Sequence, residues 1–426
     1  MTKERLLGLL DRKGFNLPEY VYMNYFWILT IGGLFWIATK QAWLDTTFIP
    51  LLIYFLLFTA KGKIKSANIF DILWILSFLW CVFTWFANDY PNQGILIIRC
   101  LSEQMAYMMA YWIVRKNERL NVQTMIKASY VPLLITVVLG IILFYTEPSW
   151  YASRTKDYAT DFEEFEFKRL RSIWMDSYLL MYYCSVVVIY EFFRLAKGAS
   201  KEKLGHYMVI ALCVFSILLG IQRSAIASIG AALVLTFYYV YKYSKFSNIK
   251  GILVFVVLLT AVSSVAVLKM EGEQQLFYIS KIASITEDGS DLATQRLTLN
   301  KKQGGFQMIG DGVGRHNMYA DKYNPMTSMR DGEYVKMLQE QGYVGFSIFI
   351  LLIALSLLKS FYHFKYLAFE FAVIVMLLIS MIGANPISTG DKHPLIYWMI
   401  IAQIANFSIK KRKYGKIKIV NNYSDV

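Results

Sequence analysis

Charged side chains inside apolar segments are the first residues that point to chemistry. A charge is costly in hydrocarbon, so such a residue is usually paired or functional. Arg99 and Glu103 stand four residues apart in one apolar run, which places them on one face of a helix. Two interpretations stay open: an internal ion pair, or a substrate-binding pair in which Arg99 contacts phosphate and Glu103 orients it. Asp71 and Glu191 lie near the ends of such runs, where hydration or helix capping accounts for them.

Arg223 lies between two apolar runs that are joined by almost no connection. Its guanidinium is therefore expected at a membrane boundary, where Arg can snorkel to lipid headgroups. The alternative is that its planar fork binds two phosphate oxygens, while the small residues Ser224, Ala225 and Ser228 let a ligand or a neighbouring helix approach closely. On that interpretation Arg223 binds a lipid-linked pyrophosphate.

A third set of candidates surrounds a cluster of glycines. Gly310, Gly312 and Gly314 precede Arg315 and His316, and flexible glycines allow backbone amides and a cation to approach an anion or a sugar. A nucleotide-binding loop is rejected because no Lys-Ser/Thr pair follows the glycines and no strand pattern precedes them. His316 is either a solvated loop residue or part of a site, and both interpretations stay open.

Neither a metal site nor a disulfide framework is predicted. Glu287, Asp288 and Asp291 lack the compact pattern of calcium ligands. All four cysteines fall inside apolar runs, where a thiol behaves as a small hydrophobe, and the sequence contains no CxxC pair. We therefore expect no metal and no cofactor.

The elements that position these residues are predicted to be transmembrane helices. Of 426 residues, 56% are hydrophobic and only 17% charged, a balance that a soluble protein could not hide from water. We predict an all-α polytopic integral membrane protein with twelve spans: 22–38, 43–60, 68–87, 94–114, 126–146, 174–194, 207–221, 224–241, 251–268, 343–358, 366–383 and 394–408. Nucleic acid is rejected as a partner despite the formal charge of +14, because the bases cluster between the apolar runs.

The distribution of Lys and Arg predicts the orientation. With the N-terminus in the cytoplasm, alternate connections are basic and hold 26 of the 44 Lys and Arg residues, as the positive-inside rule requires. The opposite connections show no such excess: 147–173 has five bases against six acids, and 269–341 has nine against ten. Both termini are therefore predicted to be cytoplasmic, with the first helix kept as a signal anchor.

The same pattern divides the chain into four parts. Residues 1–268 form a bundle of nine spans with an external loop at 147–173, 269–342 form a large external loop, 343–408 form three more spans, and 409–426 form a basic cytoplasmic tail. Long connections usually carry function or are disordered. Helical patterns at 294–303 and 331–341 indicate that the large loop is a partly helical cap over the outer face.

Three motifs occur in a fixed order in the second half of the chain, and their order is more informative than any one of them alone. They are Gln222-Arg223-Ser224-Ala225 at a span edge, Arg296 followed by the glycine-rich turn, and the segment from Asp331 to Gly342-x-x-Gly345. In this order, and in its architecture over the whole chain, the protein resembles the bacterial O-antigen polymerase and O-antigen ligase superfamily. Members of that superfamily are membrane glycosyltransferases that use undecaprenyl pyrophosphate-linked sugars outside the cytoplasmic membrane.

The resemblance implies roles for individual residues. Arg223 and Arg296 would hold the pyrophosphate of the donor, which arginine can do without metal. A base near the acceptor hydroxyl would be a carboxylate or histidine, and the candidates in descending order are Glu333, Asp331 and His316. The candidate substrate-binding residues are Arg99, Glu103, Arg315, Arg330, Gly312 and Gly314.

The position of the histidine favours a polymerase over a ligase. In ligases a loop histidine lies close before the Gly-x-x-Gly element, whereas His316 stands 26 residues before Gly342. Asp331-Gly332-Glu333 occupies the nearer place in this chain. The resemblance therefore implies a surface-polysaccharide polymerase of the bacterial cytoplasmic (inner) membrane, which transfers the growing chain from its undecaprenyl pyrophosphate carrier to a newly exported repeat unit.

Two alternatives stay open. The first is a ligase that delivers polymer to lipid A core or another acceptor. The second is a non-enzymatic lipid-linked oligosaccharide flippase, which should have short external loops, whereas this chain concentrates polar residues in one 73-residue loop. The expected partners are undecaprenyl pyrophosphate-linked oligosaccharide and membrane lipids, with a chain-length regulator as a further candidate.

Overall fold

The computed structural model describes residues 16–39, 43–64, 66–88, 93–151, 170, 173, 177–198, 203–220, 223–244, 251, 256–257, 272, 307–316, 332–383, 386–387, 394–411 and 417–419. In chain order its helices are α1 (Leu17–Met23), α2 (Tyr25–Thr39), α3 (Trp43–Thr59), α4 (Ile69–Ala87), α5 (Gln93–Cys100), α6 (Ala106–Met108), α7 (Ala110–Lys116), α8 (Val122–Thr146), α9 (Ser177–Ala196), α10 (Lys203–Gly220), α11 (Arg223–Tyr243), α12 (Glu333–Tyr362), α13 (Phe364–Gly383) and α14 (Pro394–Asn406). A short antiparallel hairpin, β1 (Ile409–Lys411) with β2 (Ile417–Ile419), follows the bundle. The prediction of an all-α bundle is confirmed, and the hairpin lies in the segment predicted to be a tail.

Six of the described helices are long and apolar enough to cross a membrane, namely α4, α8, α9, α11, α12 and α13. Shorter apolar helices include parts of α2, α3, α10 and α14. Helix is present in eleven of the twelve predicted ranges, and the remaining one, 251–268, lies almost wholly outside the described residues. Phe58, Phe86 and Leu358 are among the large apolar side chains exposed on the bundle. Such a surface, together with the helix lengths, indicates a membrane protein.

Local sequence determines where two of the helices begin. The side chains of Asn16 and Asn68 each accept the backbone N–H three residues later, and the acid at that position, Glu19 or Asp71, accepts the Asn N–H in return. This capping box satisfies N–H groups that the first helical turn leaves unpaired. The prediction that capping accounts for Asp71 is therefore confirmed.

Helix α9 is at the centre of the bundle. It packs against α10, α11 and α13, while α12 packs against α13 and α4. Nearly every side chain from Leu179 to Ala196 is buried. Helix α14 is buried along its length as well and packs against α7 and α13. Polar groups on these two helices therefore face protein.

The fourth predicted span, 94–114, is not one regular helix. Helix α5 passes into a π-helical turn, Leu101–Met105, which is followed by α6 and α7. Such turns occur frequently at functional sites. Arg99 is half-buried just before the turn, and Glu103 lies within it. The Glu103 side chain is outside the described part of the structure, so both interpretations of this pair stay open.

The connections that are rich in Lys and Arg meet at one end of the bundle, which we call the basic end. The Glu19 carboxylate accepts the N–H of Lys61 at 2.8 Å and the side-chain amide of Asn117 at 3.1 Å. The guanidinium of Arg115 at the end of α7 reaches Asn406 at the end of α14. These contacts join the segments that precede α2, follow α3, follow α7 and follow α14.

Further contacts bring the remaining basic segments to the same end. The hydroxyl of Ser244, after α11, donates to the carbonyl of Ala196 at the end of α9 at 2.6 Å. The rings of Tyr243 and Phe364 are 6.4 Å apart, and those of His363 and Phe407 are 5.0 Å apart. The ends of α9, α11, α12 and α14 therefore lie together.

A buried ion pair holds the basic end. Arg115 and Asp71 are both almost fully buried, and Nη2 of Arg115 lies 2.8 Å from Oδ2 of Asp71. Nε of the same guanidinium donates to Oδ1 at 2.8 Å, and the Tyr111 hydroxyl donates to Oδ1 at 2.5 Å. A carboxylate with this many donors needs no water. The pair therefore links α4 to α7 inside the protein.

Hydration does not account for Glu191, so that part of the prediction is wrong. Glu191 on α9 is fully buried. The Tyr130 hydroxyl of α8 donates to its carboxylate, and Nδ1 of His206 on α10 lies 2.6 Å from Oε2. A buried carboxylate is tolerated when neighbouring groups replace water as donors. Glu191 therefore links three helices.

Candidate functional site

Helix α12 is broken at Gly342, and this break positions the candidate site. Gly342 has φ 65° and ψ −174°, a conformation that costs a residue with a side chain far more than glycine. A Cβ built there would lie 2.4 Å from the carbonyl oxygen of Met308. The break removes helical partners from backbone groups on both sides, and buried groups of this kind must be paired elsewhere.

Residues 307–312 supply those partners. The N–H groups of Asp311 and Gly312 donate to the carbonyls of Gln339 and Glu340 at 2.6 and 2.8 Å. In return, the N–H of Tyr343 donates to the carbonyl of residue 307 at 3.0 Å. The segment after the undescribed part of the large loop is therefore bound to α12 by backbone hydrogen bonds on both sides of the break.

The last turns of α4 hold the same segment from the other side. The indole N–H of Trp85 donates to the carbonyl of Val313 at 2.9 Å, and the side-chain amide of Asn88 donates to that of Gly310 at 3.1 Å. Trp80 donates to the carbonyl of Gln341 at 2.8 Å. Residues 307–316 thus lie between α4 and α12, at the end of the bundle opposite to the basic end. We call this the loop end.

His316 and Asp311 form a dyad at the loop end. Nε2 of His316 lies 3.1 Å from Oδ2 of Asp311. When Asp311 is ionised, its carboxylate only accepts hydrogen bonds, so Nε2 is the donor, and the lone pair of the neutral imidazole is then on Nδ1. His316 is 5% exposed, and Nδ1 has no hydrogen-bond partner among the described residues. A histidine oriented by a carboxylate, with a lone pair on its other nitrogen, can act as a general base once a substrate hydroxyl reaches that nitrogen.

Three ionisable residues line one face of the first turns of α12, and the last of them, Glu340, contacts His316 of the dyad. Glu333, Lys336 and Glu340 are all fully buried, and their spacing places them on one side of the helix. Oε2 of Glu333 accepts the N–H of Ile387, on the segment that leads to α14, at 2.9 Å. Lys336 Nζ lies 3.9 Å from Oε1 of Glu340. Charges are rarely buried to this extent unless they are paired or functional.

The N-terminus of α11, which begins at Arg223, lies at the same level of the bundle. Ser224 on α11 and Ser380 on α13 line one small cavity together with Tyr182 of α9. Two residues before Ser380, the carbonyl of Leu378 accepts a hydrogen bond from the Tyr334 hydroxyl at 3.1 Å. Two residues of helix span about 3 Å, so the starts of α11 and α12 lie at nearly the same depth along α13.

The structure brings part of the predicted site together. His316, Arg315, Gly312 and Gly314 share the loop end with Glu333, and Nη1 of Arg315 lies 3.8 Å from Oδ1 of Asp311. The N–H of Gly312 is used by Glu340, so in this structure Gly312 holds the turn, and its role in binding stays a prediction. The positive φ of 87° at Gly314 agrees with the expected need for glycine in this turn.

Several predicted residues are not placed. Arg296, Arg330 and Asp331 lie outside the described residues. Arg223 is described as the first residue of α11, but its side chain is not. Arg99 is on α5. The proposed pairing of Arg223 with Arg296 therefore stays a prediction.

Sequence reasoning missed three residues of this cluster, namely Asp311, Lys336 and Glu340. A signal for two of them was present, because Glu333, Lys336 and Glu340 recur with helical spacing directly before an apolar run. Charged residues on one helical face usually indicate that the face is exposed to solvent, so this spacing is not recognised as part of a site. Asp311 had no signal, since its contact with His316 depends on the turn between them.

The loop end can orient a base and place it among buried charges, but the described residues supply no metal site. No group of three or more His, Cys, Asp or Glu side chains that could hold a metal ion occurs within the described ranges. A scan against models of known protein families finds no match, and a search of curated proteins finds no significant match. The assignment of function therefore depends on the residues of the loop end.

Proposed function

We propose that this protein is a surface-polysaccharide polymerase that joins undecaprenyl pyrophosphate-linked oligosaccharide repeat units at the loop end. The observation that carries the proposal is the His316–Asp311 dyad, in which His316 is buried, Asp311 is half-buried, and Nδ1 of His316 has no hydrogen-bond partner among the described residues. Glu333 accepts a backbone N–H at one carboxylate oxygen. We place His316 before Glu333 as the candidate base because the Asp311 carboxylate orients its ring, whereas the order expected from the sequence is the reverse.

The reaction requires one bond to form and one to break. The acceptor hydroxyl attacks the anomeric carbon of the donor sugar, and Nδ1 of His316 takes the hydroxyl proton. The bond between that carbon and the pyrophosphate oxygen breaks, so undecaprenyl pyrophosphate leaves with the electron pair. Arg223 and Arg296 stabilise the negative charge on the leaving group. Acyl, phosphoryl or redox chemistry is not part of this proposal.

The proposal includes the twelve-span topology in the bacterial cytoplasmic membrane. The basic end faces the cytoplasm and carries both termini, and the loop end faces outward, where lipid-linked repeat units are exported. Its support is the grouping of the Lys- and Arg-rich connections at one end of the bundle, which is the distribution that the positive-inside rule demands. Cysteine labelling of residues 149 and 244 from each side of intact cells tests the orientation.

A ligase is the second candidate, because a histidine base serves either glycosyl transfer. A loop histidine is the base that the resemblance to ligases implies, and His316 has a suitable environment. A surface-glycan gel of strains with and without the gene distinguishes the two activities. Loss of the ladder, with single repeat units still on the final acceptor, supports the polymerase. Long chains that remain on the undecaprenyl carrier support the ligase, and an unchanged glycan contradicts both.

The pair Arg223 and Arg296, which we call the pyrophosphate clamp, has its own test. Arg223→Ala and Arg296→Ala, compared at matched membrane levels, should each abolish the product, while Arg223→Lys should restore only part of it because Lys keeps the charge but loses the fork. Arg119→Ala is a matched control, because Arg119 is an exposed arginine next to the basic end. Wild-type product from both alanine variants would remove the clamp from the proposal.

A further inference from the structure

We propose that Glu340 is a positioning residue that fixes His316 in the orientation needed by a base. The proposal rests on the proposed function for the role of His316, but its test measures the histidine directly. Glu340 does not touch the reacting atoms. It acts through the turn that connects Asp311 to His316.

Glu340 accepts a hydrogen bond from each end of that turn. The carbonyl oxygen of Glu340 accepts the N–H of Gly312 at 2.8 Å, and Oε1 of its carboxylate accepts the N–H of His316 at 2.9 Å. The N–H of Arg315 donates within the turn to the carbonyl of Gly312 at 3.3 Å. The main chain of residues 312–316 is thus attached to one residue of α12 at its beginning and at its end.

The dyad geometry follows from this attachment. Asp311 is bound through its N–H to the carbonyl of Gln339 at 2.6 Å, and Gln339 is the helical neighbour of Glu340. Consecutive residues of α12 therefore set the main-chain positions of Asp311 and His316. With both positions set, Nε2 and Oδ2 come within 3.1 Å. Loss of the Glu340 carboxylate would release His316 while Asp311 and Gly312 stayed bound.

Because Glu340 is buried, a contribution to stability alone does not explain why a carboxylate occupies this position. Glu340 is fully buried, and its Oε2 has no hydrogen-bond partner among the described residues. Its contact with Lys336 is long, at 3.9 Å. A buried, incompletely paired carboxylate is seldom better for stability than an apolar residue of similar volume. What the carboxylate adds is a charge-assisted hydrogen bond to one particular N–H group, which is strong and directional.

The test measures the accessibility of the His316 imidazole. The full-length chain has four histidines, so a parent protein with His206→Gln, His363→Gln and His393→Gln keeps His316 as its only histidine. The purified protein in detergent is treated with diethylpyrocarbonate, and the rate of modification of His316 is followed by mass spectrometry. A buried imidazole reacts only when its segment opens, so the rate reports how firmly the turn is held.

The expected result is a difference between two substitutions. Glu340→Ala should raise the modification rate about tenfold or more, because a hydrogen bond to a charged acceptor is lost. Glu340→Gln keeps an acceptor oxygen of the same reach, so its rate should stay within about threefold of the parent. Glu370→Ala removes another buried carboxylate, one at the basic end, and should leave the rate unchanged.

Two outcomes would overturn the proposal. One is an unchanged rate in Glu340→Ala when its thermal transition matches that of the parent. The other is a rate for Glu340→Gln as high as that for Glu340→Ala, since a polar acceptor should rescue the position. Where Glu340→Ala does not fold, Glu340→Asp replaces it, because the aspartate side chain is one methylene too short to reach the N–H of His316. A modification rate equal to that of the parent in Glu340→Asp also contradicts the proposal. None of these rates depends on glycan transfer, so failure of the proposed function is read separately, from the glycan gel.

Discussion

Two buried clusters at opposite ends of the bundle, Arg115 with Asp71 at the basic end and His316 with Glu340 at the loop end, pair their polar atoms to different degrees. At the basic end, both oxygens of Asp71 accept hydrogen bonds, and the guanidinium of Arg115 donates to Asp71, Asn406 and the carbonyl of Ser66. At the loop end, Nδ1 of His316 and Oε2 of Glu340 have no hydrogen-bond partner within the described ranges. Fully paired buried charges hold helices together, whereas incompletely paired ones retain capacity to bind or react.

The difference also concerns which segments meet. The basic end joins helix termini to one another, and its polar groups are held by short, regular elements. The loop end joins a broken helix to a turn of the large loop, and loops carried by a rigid scaffold commonly hold binding and catalytic residues. We therefore expect substitutions of similar chemistry to affect mainly stability at the basic end and mainly activity at the loop end.

Arg115→Ala should have the largest effect on stability. It leaves the Asp71 carboxylate buried without its main partner, and breaking a buried pair in this way costs about 3–5 kcal/mol. The thermal transition of the purified protein in detergent should fall sharply, and the membrane level should fall with it. Arg119→Ala, on an exposed side chain, is the control. A transition equal to that of the wild type would show that the basic end does not depend on this pair.

His316→Gln should affect activity and leave the fold nearly intact. Loss of a general base lowers the rate by about 10²–10⁴, so the polymer ladder should disappear or shorten at equal protein level. His363→Gln, at the basic end, is the matched control and should leave the ladder unchanged. An intact ladder in His316→Gln would make Glu333 the first candidate for the base. The polymer ladder of Glu333→Gln would then test whether Glu333 is the base.

Gly342→Ala should loosen the loop end alone. The new Cβ would lie 2.4 Å from the Met308 carbonyl oxygen, so the backbone of residues 308–310 would have to shift. The positive φ alone adds strain of about 1–3 kcal/mol. Increased modification of His316 and a modest fall in the thermal transition are the expected results. Gly230→Ala on α11 meets no atom within 4 Å and should be neutral or slightly stabilising. Equal behaviour of the two variants would contradict the role of the break.

Glu370→Gln should have the smallest effect. The Glu370 carboxylate lies on α13 and accepts hydrogen bonds from the side-chain amides of Gln123 at 2.7 Å and Gln403 at 3.0 Å. A glutamine oxygen can accept both, so the free energy of unfolding should change by less than about 1.5 kcal/mol. Activity should be unchanged. A loss of the polymer with a normal thermal transition would show that the basic end also holds functional groups.

The sequence predicted the helices well because hydropathy and capping are local properties. Helix occurs at eleven predicted ranges, and the Asn68–Asp71 box marks the start of α4 as such a pair should. The interruption at Leu101–Met105 was not predicted, because a π-helical turn has no strong local signal. The start of α12 was partly predicted, since a helical pattern was expected at 331–341 and helix begins at Glu333.

The candidate site was predicted less completely. The residues beside the glycine cluster singled out His316, and the family resemblance singled out Glu333, since a loop histidine and a carboxylate are suited to act as bases. They did not single out Asp311 or Glu340, because an acid in a polar segment has no feature that distinguishes a partner from a solvated charge. Lys336 was missed for the same reason.

By itself, the amino-acid sequence determined the apolar helices, the alternation of basic connections and the chemical types available in the large loop. These depend on residues close together in the chain. Only the tertiary structure decided that Asp311 meets Gln339 and that His316 meets Glu340, 24 or more residues later in the chain. That contact exists because the break at Gly342 exposes backbone groups of α12, and the 307–312 segment pairs with them. Hydrogen bonding across the break, rather than any local preference, brings the base to the buried charges.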